Sequence, residues 1–284
     1  MTTVRRRGSI LVAVLAMASV LVVFVGVGVE RLQVARREFR SVHDDVQADL
    51  IASGTVERLF ARGGGRFPAF AGVVTFAFDG AFVEATAQAE AGRIDLNFAP
   101  IEVLAGLIGE FDVAAGRATA LAEAIERRRH PGDADGGASG STARAGPFEH
   151  VDALASVPGF DRALVERLRP YLTVSSFTSR IALLVADPVV VAALPGFDRS
   201  RIADFVEARR SVRGSFEAFV RHWGIDLDHV TSSGGEATRL FLTVHVGPHR
   251  VQRYEIVVAV RRNDEEPYRI VAWQNERPLG TGAP

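Results

Sequence analysis

Residues Ser9 to Val29 form an uncharged, mostly aliphatic run, and no other feature constrains the fold of this chain so strongly. At about 1.5 Å per residue, a helix of this length crosses a hydrocarbon core of roughly 30 Å. Arg5, Arg6 and Arg7 come directly before it. Basic flanks stay on the cytoplasmic side, so the N-terminus is expected in the cytoplasm and everything after Glu30 outside. A cleaved secretory signal is the rival reading, because Ala16-Met17-Ala18 has the small-residue spacing of a signal-peptidase site. That cut would leave an apolar stretch of only about 8 residues, at the short end for such signals. Apolar residues also continue well past it.

The segment after the run is amphipathic. Leu32, Ala35, Phe39, Val42, Val46 and Leu50 recur at helical spacings, and Arg31, Arg36, Arg37, Glu38, Asp44, Asp45 and Gln47 occupy the other faces. No proline interrupts Ser9 to Arg66. Gly26, Gly28 and Gly54 are weak points, each costing around 1 kcal/mol relative to alanine. The spacing therefore predicts one long helix over 9–61. Its first half packs in a membrane or filament core, and its second half docks on the chain's own globular head.

Two strand-like runs, Val73–Phe78 and Ala81–Thr86, flank Asp79-Gly80. Asp-Gly at this position signals a two-residue hairpin, because both residues tolerate positive φ. Such a loop places Phe78 opposite Ala81, Phe76 opposite Val83 and Val74 opposite Ala85, which makes one apolar face. Helical patterns follow over Ile101–Ile108 and Ala114–Arg129, then a Gly, Ser, Ala and Asp-rich loop from His130 to Pro147. Leu154-Ala-Ser-Val-Pro-Gly-Phe-Asp-Arg162 is then echoed by Val191-Ala-Ala-Leu-Pro-Gly-Phe-Asp-Arg199. Arg93, Ile94, Leu96, Ala99, Val103, Ala105 and Leu107 also recur 87 positions later, as Arg180, Ile181, Leu183, Ala186, Val190, Ala192 and Leu194. The region reads as two related helical subdomains. Strand patterns return over Arg239–Val246, Arg250–Arg261 and Tyr268–Glu276.

Arg5-Arg6-Arg7-Gly8 before an apolar helix resembles the leader of prepilins and pseudopilins. In that family a prepilin peptidase cuts after the glycine and methylates the new N-terminus, which puts the cut between Gly8 and Ser9 here. The family usually has Phe or Met where this chain has Ser9. Most members carry glutamate at the fifth mature position, where this chain has Ala13. Lack of that glutamate characterises the general secretion pathway protein K family of minor pseudopilins. Gly92-Arg93-Ile94-Asp95-Leu96-Asn97 is similar to that family's Gly-Arg/Lys-Ile-Asn-Leu-Asn, and Leu168–Val174 is similar to its Leu-x-Pro-Tyr-Leu-Thr-Val.

The resemblance implies an α+β, pilin-like fold, with a long N-terminal helix against an antiparallel sheet. A large inserted all-α domain of two helix-hairpin-helix or SAM-like subdomains interrupts that sheet. The expected parts are a leader at 1–8, the helix at 9–61, a sheet head from 62–97 and 236–276, the insertion at 98–235 and a disordered tail at 277–284. The implied role is non-catalytic assembly and capping of a type II secretion pseudopilus. The chain would be a single-pass inner-membrane protein with a periplasmic head. Its partners would be other minor pseudopilins, the prepilin peptidase and the inner-membrane secretion machinery. Ala13, Leu32, Phe39 and Val46 would lie on the assembly helix.

Composition narrows the remaining chemistry. The chain has no cysteine, which excludes disulfides and thiolate sites, and all 33 basic residues are arginine. No cofactor is expected, with calcium as the one exception. Asp133-Ala134-Asp135-Gly136 alternates carboxylates before a glycine, which suits a hard cation, and calcium-binding protein K relatives have an Asp-rich loop in this region. The bland reading is a solvated loop. Among the histidines, His43, His130, His150 and His222 show no metal spacing, and Pro248 separates His245 from His249. The functional alternative is a membrane-anchored DNA receptor of the competence type. Its helix-hairpin-helix turns need a second glycine to approach phosphate, and Asp161 and Asp198 stand there instead. With a net charge of −1, nucleic acid is not an expected partner.

Overall fold

The structure, a computed structural model, describes residues 14–19, 21, 43–67, 70–130, 146–212, 214–247, 250–260 and 266–276. Helix α1 covers residues 43–62. One of its faces, made by Ala48, Ile51, Ala52, Val56 and Leu59, is buried. Thr55 is buried among them without cost, because its hydroxyl donates to the Ile51 carbonyl at 2.8 Å. The helix ends where Gly63 and Gly65 donate to the carbonyls of Leu59 (3.0 Å) and Phe60 (3.2 Å).

A five-stranded antiparallel sheet receives this face, in the order β1-β2-β7-β8-β9. Strands β1 (Phe70–Phe78) and β2 (Ala81–Ala89) form the hairpin, with Phe78 opposite Ala81, Phe76 opposite Val83 and Val74 opposite Ala85. The register is the one that a two-residue loop demands. Of the turn residues only Gly80 takes positive φ, at 71°. Strands β7 (Ala237–Val246), β8 (Arg250–Val260) and β9 (Tyr268–Glu276) complete the sheet. Alternate residues of β2, β7 and β8 (Val83, Ala85, Leu240, Leu242, Tyr254 and Ile256 among them) close on α1 as one core.

β2 pairs directly with β7, Ala89 lying opposite Thr238, so everything between them is an excursion from the sheet. It begins at Glu90, where β2 ends, and not at residue 98. Ile94 and Leu96, within the range expected for the sheet head, are fully buried in the helical core. The short strand β3 (Ile94–Asp95) pairs in parallel with β4 (Leu172–Thr173), a partner that local pattern cannot reveal.

The excursion holds helices α2 (Ile101–Gly109), α3 (Ala115–Arg129), α4 (Arg162–Leu168), α5 (Pro188–Ala192), α6 (Ile202–Ala208) and α7 (Phe216–His222). A second short pair, β5 (Ile181–Ala182) with β6 (Val230–Thr231), repeats the β3–β4 geometry. Leu96 N donates to Thr173 O (2.8 Å) and Leu183 N to Thr231 O (3.1 Å). Ala99 N donates to Asp95 O (2.9 Å) and Ala186 N to Ala182 O (3.0 Å). The two halves thus close by the same backbone bonds, over one shared apolar core.

Two buried carboxylates organise this part. Asp95, 1% exposed, accepts from Asn97 N at 2.8 Å, Ser176 N at 3.0 Å, Ser176 Oγ at 2.9 Å and Phe177 N at 3.2 Å. Burial raises its pKa, and those hydrogen bonds oppose the shift. Glu90 is fully buried at the neck between sheet and helices. It accepts from Thr173 of β4 and from Arg239 of β7, whose guanidinium also pairs with Glu255 of β8. Breaking a buried ion pair from one side costs about 3–5 kcal/mol. Glu90→Ala is therefore expected to lower the unfolding free energy by about that much in urea titrations. Glu255→Ala, which removes a partly exposed partner, should cost less than half as much; equal losses would contradict the assignment of the neck to Glu90.

Candidate assembly surface

Two clamps set the rotation of α1 on the sheet. At its N-terminal end the Asp45 carboxylate meets Arg250 and Gln252 of β8, and the Tyr254 hydroxyl donates to Asp49 Oδ1 at 2.7 Å. Burial, and then the Asp49 carboxylate, push the Tyr254 phenol above its ordinary pKa. At the other end Phe60 and Phe67 pack with Tyr268 of β9, with ring centroids 4.9–5.2 Å apart. Arg58 lies over the rings of Phe76 and Phe78 at 5.5 and 5.7 Å.

With Asp45, Ala48, Ala52, Val56 and Leu59 turned to the sheet, Val46 and Leu50 lie roughly a third to nearly a half of a turn away. They remain 53% and 69% exposed. Docking of this half of the helix on the head therefore uses a different stripe from the one through Val46, which was expected on the assembly helix. The head-facing stripe is a separate one, placed there by the carboxylate clamp as much as by apolar spacing. Val46 and Leu50, one turn apart, form an apolar surface open to another molecule. Phe39 and Leu32 continue its spacing in sequence but lie outside the described residues, as do Gly8, Ser9 and Ala13. Among the described residues no helix is long and apolar enough to cross a membrane. Most of the Ser9–Val29 run lies outside them.

The two Pro-Gly-Phe-Asp turns are helix starts. Gly159 and Gly196 take positive φ, at 94° and 81°. Asp161 Oδ1 accepts from Leu164 N at 2.7 Å, capping α4. Asp198 Oδ1 accepts from Ser200 N at 3.0 Å in the turn before α6. Ser200 lowers the Asp198 pKa, first through its side-chain hydrogen bond and then through its backbone one. Each turn thus spends a backbone N–H on its own carboxylate, at the place where a phosphate-binding hairpin would offer it.

Asp133 and Asp135 lie outside the described residues, and so does His249. His245 stacks on Phe82, with centroids 4.1 Å apart and an interplanar angle of 8°, and lies 3.7 Å from Glu84. Among the described residues no group of three or more His, Asp or Glu side chains could hold a metal.

The chain has the fold of a protein in the crystal structure of the GspK–GspI–GspJ complex from the type 2 secretion system of enterotoxigenic Escherichia coli. The TM-score is 0.61 at 16% identity, and the match covers 85% of this chain and 100% of that one. That neighbour is GspK-like in fold. No protein-family profile matches the sequence, and no curated protein matches it.

Exposure and capping predict opposite responses to substitution. Val46→Ser and Leu50→Ser are expected to leave stability within about 0.5 kcal/mol, since neither side chain is in the core. Asp161→Ala removes the cap of α4 and is expected to cost about 1 kcal/mol. Thermal and urea unfolding of the variants check both. A loss above about 2 kcal/mol for Leu50→Ser would mean that this face is buried within the chain.

Proposed function

We propose that the chain is a minor pseudopilin of a type 2 secretion system. It would be a non-catalytic subunit, anchored in the inner membrane, that starts or caps the pseudopilus from the periplasmic side. The observation that carries this reading is the fold likeness to the GspK-like neighbour, which extends over 100% of that chain. The leader Arg5-Arg6-Arg7-Gly8 and the apolar run after it support the same reading. So does an α1 that docks on the sheet by one face and leaves Val46 and Leu50 uncovered.

In this reading the excursion beginning at Glu90 is an inserted domain of two hairpin-type helical subdomains, standing on the head opposite the anchor. The neighbour was crystallised in a GspK–GspI–GspJ complex. For this chain, other minor pseudopilins are proposed to cover Val46 and Leu50, with Phe39 and Leu32 extending the contact toward the membrane. The prepilin peptidase would cut between Gly8 and Ser9, and the inner-membrane secretion machinery would receive the processed subunit.

Ala13 gives the reason for a tip position. In pilin assembly the fifth-position carboxylate neutralises the N-terminal amine of the subunit assembled before it. An unpaired charge in the bilayer costs at least a few kcal/mol. A first subunit has no predecessor, so an alanine there removes a charge that nothing would neutralise. The helical excursion adds steric bulk that a stacked subunit would meet.

Three measurements test the proposal. Intact-mass analysis from the native host is expected to show a mature N-terminus at Ser9, lost in Gly8→Ala. A new N-terminus near Ser19 would contradict it. Labelling of purified pseudopili is expected to mark one end, and signal distributed along the shaft would sink the tip assignment. Leu50→Asp is expected to leave the fold intact while abolishing co-purification with the other minor pseudopilins.

A further inference from the structure

The two halves of the helical excursion serve as controls for one another. In the first half Arg129 Nη1 donates to the Ala99 carbonyl at 2.8 Å and to Glu126 Oε2 at 2.7 Å. In the second half Arg209 Nη1 donates to the carbonyl of Ala186, the residue 87 positions after Ala99. The residue three before Arg209 is Val206, so the carboxylate that serves Arg129 has no counterpart. A second arginine differs in the opposite way. Arg180, 87 positions after Arg93, is exposed to solvent. Arg93 is half-buried at the neck, where its Nη2 donates to Gln88 Oε1 at 3.3 Å. Burial, and then the charge of Arg239, lower its pKa to about 10, against the pull of Glu90 and Asp187.

Arg93 and Arg209 line the same cavity, of about 660 Å³, between the end of β2 and the segment leading into α5. Thr86, Gln88 and Tyr171 contribute polar groups to its wall. Asp187 is the one carboxylate among the lining residues described, and its Oδ1 is occupied in capping Val189 N at 2.8 Å. Its charge is felt by both arginines, yet among the described residues neither arginine forms a salt bridge with it. The wall therefore presents two guanidinium groups against one engaged carboxylate. Withdrawing a cation from water without a salt-bridge partner is unfavourable, and among the described residues neither Arg93 nor Arg209 has one. The planar fork of an arginine matches a carboxylate. A space of this size admits an organic group and not only an ion.

We propose that the neck cavity binds a carboxylate-bearing ligand between Arg93 and Arg209. The site stands on the cavity and the two arginines, independently of any role in a pseudopilus. The carboxylate comes either from a free small acid or from an acidic side chain of another polypeptide, and the two sources give different outcomes in one experiment. The full-length protein in detergent is titrated calorimetrically with glutarate, with acetyl-Gly-Glu-Gly-Glu-Gly-amide, and with the glutamine version of that peptide. Saturable binding of at least one acidic probe is expected, and none of the glutamine peptide. Binding of glutarate assigns the site to free acids, and binding of the peptide alone assigns it to a protein segment. Arg93→Gln is expected to weaken binding about tenfold, while Arg180→Gln leaves it unchanged. Asp187→Asn keeps a capping oxygen but removes the competing charge, so it is expected to tighten binding about threefold, a change that misfolding cannot produce. Failure of both acidic probes to bind, or affinity that neither Arg93→Gln nor Asp187→Asn alters, overturns the proposal.

Discussion

The direct pairing of β2 with β7 is the constraint on which the rest of the molecule depends. The ladder runs without a break from Ala81 opposite Val246 to Ala89 opposite Thr238. Neighbouring strands lie about 4.8 Å apart, so the chain must leave the sheet at Glu90 and return beside the same point. A long excursion held at both ends can form its own core while adding little to the entropy of closure, which grows only with the logarithm of length. The helical part does so, and Glu90 then ties it to the sheet from the buried neck through Thr173 and Arg239.

One face of the sheet is governed by α1. Apolar burial alone would tolerate some rolling of a helix on a smooth sheet face. The Asp45 and Asp49 contacts at one end and the Phe60–Phe67–Tyr268 cluster at the other leave one rotation. That rotation decides which side chains remain for a partner, and it selects Val46 and Leu50. A subunit joined to others through its N-terminal helix needs a firm coupling between that helix and its head. A clamp combining ionic, hydrogen-bonded and aromatic contacts supplies it.

The helical halves share a backbone plan and differ in how polar groups are satisfied. Asp95 and Asn97 in the first half correspond to Ala182 and Leu184 in the second, and the place that Glu126 holds three residues before Arg129 is taken by Val206 before Arg209. The first half holds a hydrogen-bonded carboxylate and a paired arginine, with Asn97 bonded to Phe148 through both its side-chain atoms. The second keeps the apolar frame and the arginine but loses the carboxylate. Duplication preserved what the backbone needs and released the side chains, and the released arginine lines the neck cavity.

Much of the architecture was legible in the sequence because its signals are local. Asp79-Gly80 implied a two-residue loop, and loop length sets hairpin register. The alternation after Gly235 located β7, β8 and β9, and the repeat at 87 positions revealed that Ile94 and Ile181 begin equivalent stretches. Other features were not legible, because their partners are remote in the chain. The parallel pairing of Ile94-Asp95 with Leu172-Thr173 joins segments that carry no local sign of each other. Asp161 and Asp198 argued against phosphate binding by standing where a second glycine is needed, but their work as caps needed the turn geometry. Nothing local distinguishes Arg93 from Arg180, or tells which apolar stripe of α1 faces the sheet. The sequence by itself determined the elements and their order, since periodicity and turn chemistry act over a few residues. Only the tertiary structure decided the rotation of α1, the start of the excursion and which arginines keep a counter-charge, since each depends on contacts across more than a hundred residues or on a missing partner one turn away.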